Sequence, residues 1–146
     1  MNNLELAKSN IRQAEERLKH AKEALKEGNY PFVVRQSQEA AELALKASLR
    51  LVSIEPPKWH DVGPVLKKER EKFPLWFQNS INELASISRS LRKERELAMY
   101  GDEEAGVSPE DLYTKLDAEY ALKSAEKVFS LVSKLLSEAI KKISEY

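Results

Sequence analysis

A cluster of four cations is followed closely by a tyrosine in the second half of this sequence. These residues are Arg89, Arg92, Lys93, Arg95 and Tyr100. Because Arg92 and Arg95 are three residues apart, a helix would place their guanidinium groups on neighbouring turns of one side. Two such groups can form a fork that grips phosphate oxygens, and the ring of Tyr100 can stack on a nucleobase. The pattern therefore predicts a site for nucleotide or RNA.

The same residues also fit a purely structural role. Arg92 would pair with Glu96 four residues further on, and Arg95 would pair with the acidic run that begins at Asp102. The cluster would then only stabilise the end of a helix. Asp102 belongs to both hypotheses, as a candidate residue of the nucleotide site and as an ion-pair partner. The spacing does not choose between them.

Arg95 occupies an unusual position for a charged residue on its predicted helix. The apolar row of that helix, in steps of three and four, is Phe77, Ile81, Leu84, Ser88, Leu91, Arg95 and Ala98. A side chain on this row faces the core, and a buried charge requires a partner. We therefore expect the Arg95 guanidinium to point towards the bundle or towards the edge of a groove.

The composition excludes several kinds of chemistry. The chain has no Cys and only two His, which rules out disulfides, thiol nucleophiles and thiolate zinc sites, and we expect neither metal nor cofactor. His20 lies on the polar side of a predicted helix and is expected to be solvated. His60 either anchors its loop or reaches the groove near Arg95 as an acid–base group. The neighbouring Asp61 is typical of a helix cap.

Length and charge set the scale of the molecule. A chain of 146 residues predicts a single domain spanning residues 1–146. Its 24 basic and 24 acidic residues give no net positive field, so any binding of RNA or nucleotide must be local. No segment approaches the roughly 20 apolar residues of a membrane span. We therefore expect a cytoplasmic protein with no membrane partner.

Apolar residues recurring every three or four positions predict an all-α fold, an up-down bundle of about five helices. The predicted helices run from about residue 4 to 27, 31 to 54, 62 to 72, 74 to 100 and 111 to 144, separated by Gly, Asn and Pro. The second helix carries two apolar rows rich in alanine. Contact on two sides is expected for such a helix, so it is predicted to be central.

Three stretches of the sequence resemble one known family. They are Gln38–Ala47 after the turn Glu27–Pro31, the run Trp59-His60-Asp61-Val62, and the run Arg95-Glu96-Leu97-Ala98-Met99-Tyr100-Gly101-Asp102. The first is similar to a run of Gln, Ala, Glu and Lys in HEPN domain proteins of the small prokaryotic type. The others are similar to the His before that family's short middle helix and to its signature of Arg, Ala, Tyr and Gly. The resemblance implies a four-helix core plus a short middle helix.

The resemblance also bears on catalysis. Many HEPN proteins are metal-independent ribonucleases whose motif is an Arg followed, after four to six residues, by a His that acts as the acid–base group. Neither His20 nor His60 follows an Arg at that distance. Ala98, Met99 and Tyr100 stand where that His is expected, and a tyrosine hydroxyl is a poor base at neutral pH. We therefore expect no appreciable ribonuclease activity.

Two functions remain open. In the first, the resemblance implies a binding and interaction protein, the partner of a minimal nucleotidyltransferase in a toxin–antitoxin-like or nucleotide- or RNA-handling system. Tyr100 then stands in a place comparable to that of a tyrosine that accepts nucleotidyl groups. In the second, the chain is a metal-independent ribonuclease of toxin type that uses Arg92 and Arg95 with Tyr100.

Some apolar residues of the last predicted helix lie away from its main stripe. They are Tyr113, Leu116, Tyr120 and Leu131. Either the loop 101–109 or the middle helix covers them, or a second subunit does. The resemblance favours a homodimer. A two-fold axis would then bring the two Arg95 regions towards one shared groove.

Overall fold

The computed structural model describes residues 2–58 and 61–145. In these ranges the chain forms seven α-helices and no strand longer than an isolated bridge. The helices are α1 Asn3–Glu27, α2 Tyr30–Leu51, α3 Gly63–Lys68, α4 Leu75–Gln78, α5 Ile81–Tyr100, α6 Pro109–Leu112 and α7 Lys115–Ser144. A turn of 3-10 helix, Arg70–Lys72, precedes α4. The predicted all-α bundle is confirmed.

The central position predicted for the second helix is also confirmed. Helix α2 packs against α1, α5 and α7. Its alanines Ala40, Ala44 and Ala47 are completely buried. Side chains this small allow the neighbouring helix backbones to approach closely. All the long helices of the bundle are therefore positioned by contact with α2.

A short turn makes α1 and α2 an antiparallel hairpin. Gly28 ends α1 with a φ of 78°, in the left-handed region that glycine adopts without strain. Its N–H and that of Asn29 donate to carbonyl oxygens of the last turn, including that of Ala24. Pro31 follows in the first turn of α2, where its missing N–H costs nothing.

The predicted helix over residues 74–100 is wrong in one respect, because it consists of two helices. Arg70 donates hydrogen bonds to the carbonyl oxygen of Gln78 at 2.8 Å and to Oδ1 of Asn82 at 3.0 Å. In a continuous helix, the carbonyl oxygen of Gln78 would accept the N–H of residue 82, but here it accepts a hydrogen bond from Arg70. The chain therefore turns at Asn79 and Ser80 before α5 begins.

The last predicted helix begins later than expected from Asp111. Ser108 caps the short helix α6, and the chain is extended at Tyr113. A second start follows at Thr114, whose hydroxyl accepts the N–H of Asp117 while the Asp117 carboxylate accepts the N–H of Thr114. This capping box satisfies two N–H groups at the end of a helix, so it defines the first turn of α7.

The aromatic residues near α4 were expected to fill the core or cover loops. Phe77 is completely buried and stacks on Phe73 with ring centroids 4.7 Å apart. Trp76 is half-buried and donates its indole N–H to Glu138 of α7 at 2.9 Å. Lys134 lies over the same ring at 4.2 Å. The prediction is confirmed for Trp76 and Phe77, and Trp59 lies outside the described residues.

A tight hairpin connects α5 to α6. The backbone groups of Asp102 and Val107 exchange two hydrogen bonds, of 2.8 and 2.9 Å. Gly101, which precedes the hairpin, has a φ of 76° and a ψ of −168°, a conformation that is essentially limited to glycine. A Cβ atom at this position would also collide with the carbonyl oxygen of Val107 and crowd the ring of Pro109.

We therefore expect Gly101→Ala to lower the free energy of unfolding by about 3 kcal/mol or more, because backbone strain and collision add. Gly106→Ala is the matched control. Gly106 also has a positive φ, of 70°, but no atom lies within 4 Å of the added Cβ. Gly106→Ala should lower the free energy of unfolding by only about 1 kcal/mol. Urea unfolding measures both values, and equal losses would contradict the close approach at Gly101.

Candidate functional site

Arg92 of α5 is tied to the central helix by an ion pair. Its Nη1 lies 3.1 Å from Oε1 of Glu42 on α2, and both side chains are partly buried. The other carboxylate oxygen of Glu42 accepts a hydrogen bond of 3.4 Å from the buried amide of Gln38. Arg92 thus has its acidic partner on another helix, instead of depending on Glu96 as the structural interpretation expected. The pair fixes the cationic side of α5 relative to α2.

The expectation that the Arg95 guanidinium points into the bundle is wrong. Its side chain is exposed, whereas Leu91 and Ala98 of the same predicted row are buried. The half-buried position between those two residues belongs to Glu94. A long arginine side chain near the edge of a helix's buried stripe can extend its charge into water and avoid the cost of desolvation. Arg95 therefore lies at the edge of a groove, the other expected alternative.

The groove is an open hollow of about 670 Å³. Its lining residues are Arg92, Lys93, Arg95, Glu96, Met99 and Tyr100. All of these described residues belong to α5, so the hollow lies along the surface of this helix. Three cations against one carboxylate favour an anion, and the Tyr100 ring is 61% exposed beside them. The structure thus brings together Arg92, Arg95 and Tyr100, three of the residues predicted for this site.

Arg89 and Asp102, two other predicted site residues, lie apart from this hollow. Arg89 is exposed one turn earlier on α5. The Asp102 carboxylate accepts the N–H of Ala105 at 3.0 Å, so it stabilises its own hairpin. The structural interpretation predicted an ion pair between Arg95 and Asp102. Within the described ranges no such ion pair is present. His60 lies outside the described residues.

Asp61 connects the middle of the chain to α5. Asp61 was predicted to cap the helix, but it lies one residue before the N-cap, Val62; its Oδ1 accepts the N–H of Gly63, the first residue of α3, at 3.1 Å. The same oxygen accepts the hydroxyl of Ser88 at 2.7 Å. Ser88 lies one turn before Arg92 on α5. The Asp61 side chain is therefore held one helical turn along α5 from the ion pair of Arg92 and Glu42.

Glu42, Gln38 and Ser88 were not identified as site residues from sequence. A signal did exist, because Gln38 and Glu42 are four residues apart on the helix that carries two apolar rows. A polar pair on such a helix requires partners. The partner helix could not be identified, since periodicity states which residues share a side and not which helix faces them.

A second polar contact closes the opposite side of α5. The Tyr113 hydroxyl donates to Oε2 of Glu94 at 2.5 Å. Tyr113 is only 7% exposed, so it is covered within the chain and not by a second subunit, one of the alternatives that the sequence left open. Burial raises the pKa of Tyr113 far above its ordinary value, and the neighbouring Glu94 carboxylate raises that pKa further. The contact holds the junction of α6 and α7 against α5.

The exposed apolar residues and the cationic hollow lie on different sides of α5. Leu116 and Tyr120 of α7 are 76% and 68% exposed, as expected from their positions off the main stripe, and Leu131 is half-buried. They lie along α7 on the side where Glu94 and Leu97 of α5 face it. Arg92 and Arg95 line the hollow on the other side of α5. The homodimer and its shared groove stay predictions.

No group of three or more His, Asp or Glu side chains suited to a metal occurs among residues 2–58 and 61–145. Within the same ranges, no helix is sufficiently long and apolar to cross a membrane.

Known proteins are similar to this chain over most of its length. The HEPN domain matches residues 7–136. A protein of Methanocaldococcus jannaschii named "Putative toxin MJ1304" is 35% identical over 141 residues, which cover 93% of this chain and 91% of that protein. The crystal structure of TT1696 from Thermus thermophilus matches with a TM-score of 0.71 and 26% identity, covering 92% of this chain and 99% of that one. The range matched by the HEPN domain includes all of α5.

Removing the Tyr113 hydroxyl tests the contact with Glu94. We expect Tyr113→Phe to lower the free energy of unfolding at pH 7 by about 1–2 kcal/mol, since a hydrogen bond to a carboxylate is lost. The folded-state pKa of Tyr113 is raised, so its contribution is complete below about pH 10 and is lost as the pH rises further. The difference between wild type and variant, measured by urea unfolding, should therefore shrink above about pH 10. A difference that grows there would contradict this assignment.

A double-mutant cycle tests the pair that fixes the cationic side of α5. We expect Glu42→Ala and Arg92→Ala to couple by about 0.5–1 kcal/mol, because the pair is partly exposed and water screens it. The cycle of Lys72→Ala with Glu69→Ala, three residues apart and 3.1 Å from each other, is a local reference and should couple less strongly. Zero coupling between residues 42 and 92 would show that the pair does not hold α5 to α2.

Proposed function

The chain belongs to the HEPN domain family, and we propose that it is the binding component of a toxin–antitoxin-like system. In this proposal its cationic hollow on α5 binds RNA or nucleotide through phosphate. Its partner is a minimal nucleotidyltransferase, the two proteins act in the cytoplasm, and the chain folds as one domain that forms a homodimer. The relative named as a toxin supports the class of system.

One observation carries the proposal. Arg92, whose position is fixed by an ion pair, lies beside the exposed Arg95. Glu42 fixes the position of Arg92, while Arg95 is exposed three residues further along α5. Fixing one guanidinium reduces the entropy lost when a phosphate binds, and the exposed one can adapt to the second oxygen. The exposed Tyr100 ring supplies a stacking surface within the same hollow. These three residues together match a phosphate with an attached base.

The proposed role is binding without RNA cleavage. Arg92 and Arg95 can stabilise charge on a phosphate, and among the described residues that line the hollow none is a histidine. Of its side chains, Glu96 is the carboxylate that could accept a proton, and it is exposed to water. The Tyr100 hydroxyl instead fits the role of an acceptor for a nucleotidyl group supplied by the partner enzyme. In that step an oxygen–phosphorus bond would form at Tyr100, pyrophosphate would leave, and the hydroxyl proton would pass to solvent.

Binding to a short single-stranded RNA of mixed sequence tests the hollow. We expect Arg95→Ala to weaken binding and to reduce the slope of log K against log salt by about 0.7, the value for one phosphate contact on a single strand. Tyr100→Ala should weaken binding about fivefold or more through lost stacking. Lys123→Ala is the matched control, since it removes the same charge from an exposed position on α7. If Lys123→Ala lowered the affinity for RNA as much as Arg95→Ala does, that result would contradict a local site.

Two further measurements separate the proposal from its alternative. Incubation of the wild-type protein with the same RNA and a metal chelator should leave the RNA intact. Cleavage that disappears in Arg95→Ala would instead establish the ribonuclease that uses Arg92, Arg95 and Tyr100. Mass spectrometry of the protein purified from its native host should show a co-purified nucleotidyltransferase and a nucleotidyl mass on the peptide that contains Tyr100.

A further inference from the structure

The outer face of α2 carries a row of charged residues. Its members, in steps of four, three, four and four, are Arg35, Glu39, Glu42, Lys46 and Arg50, and all five are half-buried. These steps place them on one side of the helix. Because Glu42 is the partner of Arg92, the row meets the cationic hollow of α5 at its middle member.

The charges of this row are not equally engaged within the chain. Glu42 is held in its ion pair, and Glu39 accepts the side-chain amide of Gln36 at 3.3 Å. In the described part of the chain, by contrast, no ion pair engages Lys46 or Arg50. The Nε of Arg50 is buried, and no described residue accepts its hydrogen. Both carboxylates of the row are therefore occupied, whereas these two cations are available to a ligand.

Helices α2 and α5 run in opposite directions. Glu42 of α2 contacts Arg92 of α5. Val34, earlier on α2, and Leu97, later on α5, line one hollow together. The C-terminal half of α2 therefore extends from the ion pair in the direction opposite to the C-terminal end of α5.

Cations occur on both sides of this ion pair. Arg95 follows Arg92 by three residues on α5, and Lys46 and Arg50 follow Glu42 by four and eight residues on α2. At a rise of 1.5 Å per residue, Arg95 and Arg50 are about 16 Å apart along the helix axes. Phosphates of one strand repeat about every 3.4 Å along a duplex, and further apart when the strand is extended. The distance thus spans several phosphates, more than a mononucleotide offers.

We propose that Lys46 and Arg50 form a second phosphate site, so that a single strand of RNA crosses from α5 onto α2. This inference rests on the phosphate site of the proposed function and identifies its ligand as a strand and not a free nucleotide. Glu42 lies between the two sites, and its pairing with Arg92 reduces the repulsion of a phosphate backbone. Half-burial of Lys46 and Arg50 strengthens their attraction to phosphate, because less water screens it.

The chemistry of this surface favours RNA over an acidic segment of a protein. Carboxylates would also satisfy the cations, but a peptide of acidic residues offers no base to the exposed ring of Tyr100 in the adjoining hollow. The other end of the row is less suited to phosphate, since Glu39 lies one turn from Arg35 on the same side. The path of the strand therefore leaves α5 towards the C-terminal end of α2.

Two ligands of different length, an eight-nucleotide single-stranded RNA and AMP, test the second site in NMR shift titrations. We expect Lys46→Ala/Arg50→Ala to weaken binding of the octamer about tenfold and to reduce the slope of log K against log salt by about 1.4, the value for two phosphate contacts. The affinity for AMP should not change. The matched control, Arg12→Ala/Lys19→Ala, removes the same charges from exposed positions on α1 and should weaken the octamer by less than about twofold.

The outcomes separate this inference from the function on which it rests. An octamer that binds the double variant as tightly as the wild type, or AMP that is weakened as much as the octamer, overturns the second site alone. If Arg95→Ala weakens neither ligand, the phosphate site on α5 is overturned, and with it the crossing of the strand.

Two further measurements complete the test. An octamer of glutamate that binds as tightly as the RNA, and loses the same affinity in the double variant, overturns RNA as the ligand. Lys46→Gln/Arg50→Gln replaces the alanine variant if circular dichroism shows that the latter has lost helix. The glutamine variant should weaken the octamer equally, and an unchanged affinity overturns the second site.

Discussion

The ion pair between Arg92 and Glu42 determines what α5 can offer to a ligand. A guanidinium on the surface of a single helix moves freely and loses entropy when it binds. Glu42 removes that freedom, and the buried amide of Gln38 in turn holds Glu42. The pair is partly open to water, so the Glu42 carboxylate offsets the charge of Arg92 only in part. Arg95 and Tyr100 gain significance because they lie beside a charge whose position is fixed.

Helix α2 makes this arrangement possible. Its buried alanines bring α1, α5 and α7 close to one helix, so residues far apart in sequence meet across it. Three polar contacts hold the middle of α5, between Ser88 and Glu94. Asp61 accepts the hydroxyl of Ser88, Glu42 holds Arg92, and Glu94 accepts the hydroxyl of Tyr113. The first two contacts lie on the cationic side of α5. The third lies on the side of α5 that faces the junction of α6 and α7.

The sequence predicted the helical class and the central position of α2, because both follow from periodicity and from alanine rows. The break between α4 and α5 was missed, since it depends on Arg70 reaching the carbonyl of Gln78 from another segment. The late start of α7 could have been read from Thr114 and Asp117, a local capping pattern. Of the two orientations predicted for Arg95, the one towards the bundle was wrong, because steps of three and four from Leu91 lead to Glu94 or to Arg95 equally well. Only the position of Tyr113 decides which of the two is covered.

Two-dimensional NMR of the isotope-labelled protein, titrated with a four-nucleotide single-stranded RNA, tests the central claim most directly. The account predicts that the largest changes in amide shifts fall on residues 89–100 of α5 and on Glu42, whose carboxylate holds Arg92. Residues 116–127 of α7 should change little. Changes confined to α7, or none at RNA concentrations well above those of the protein, would contradict a phosphate site on the cationic side of α5.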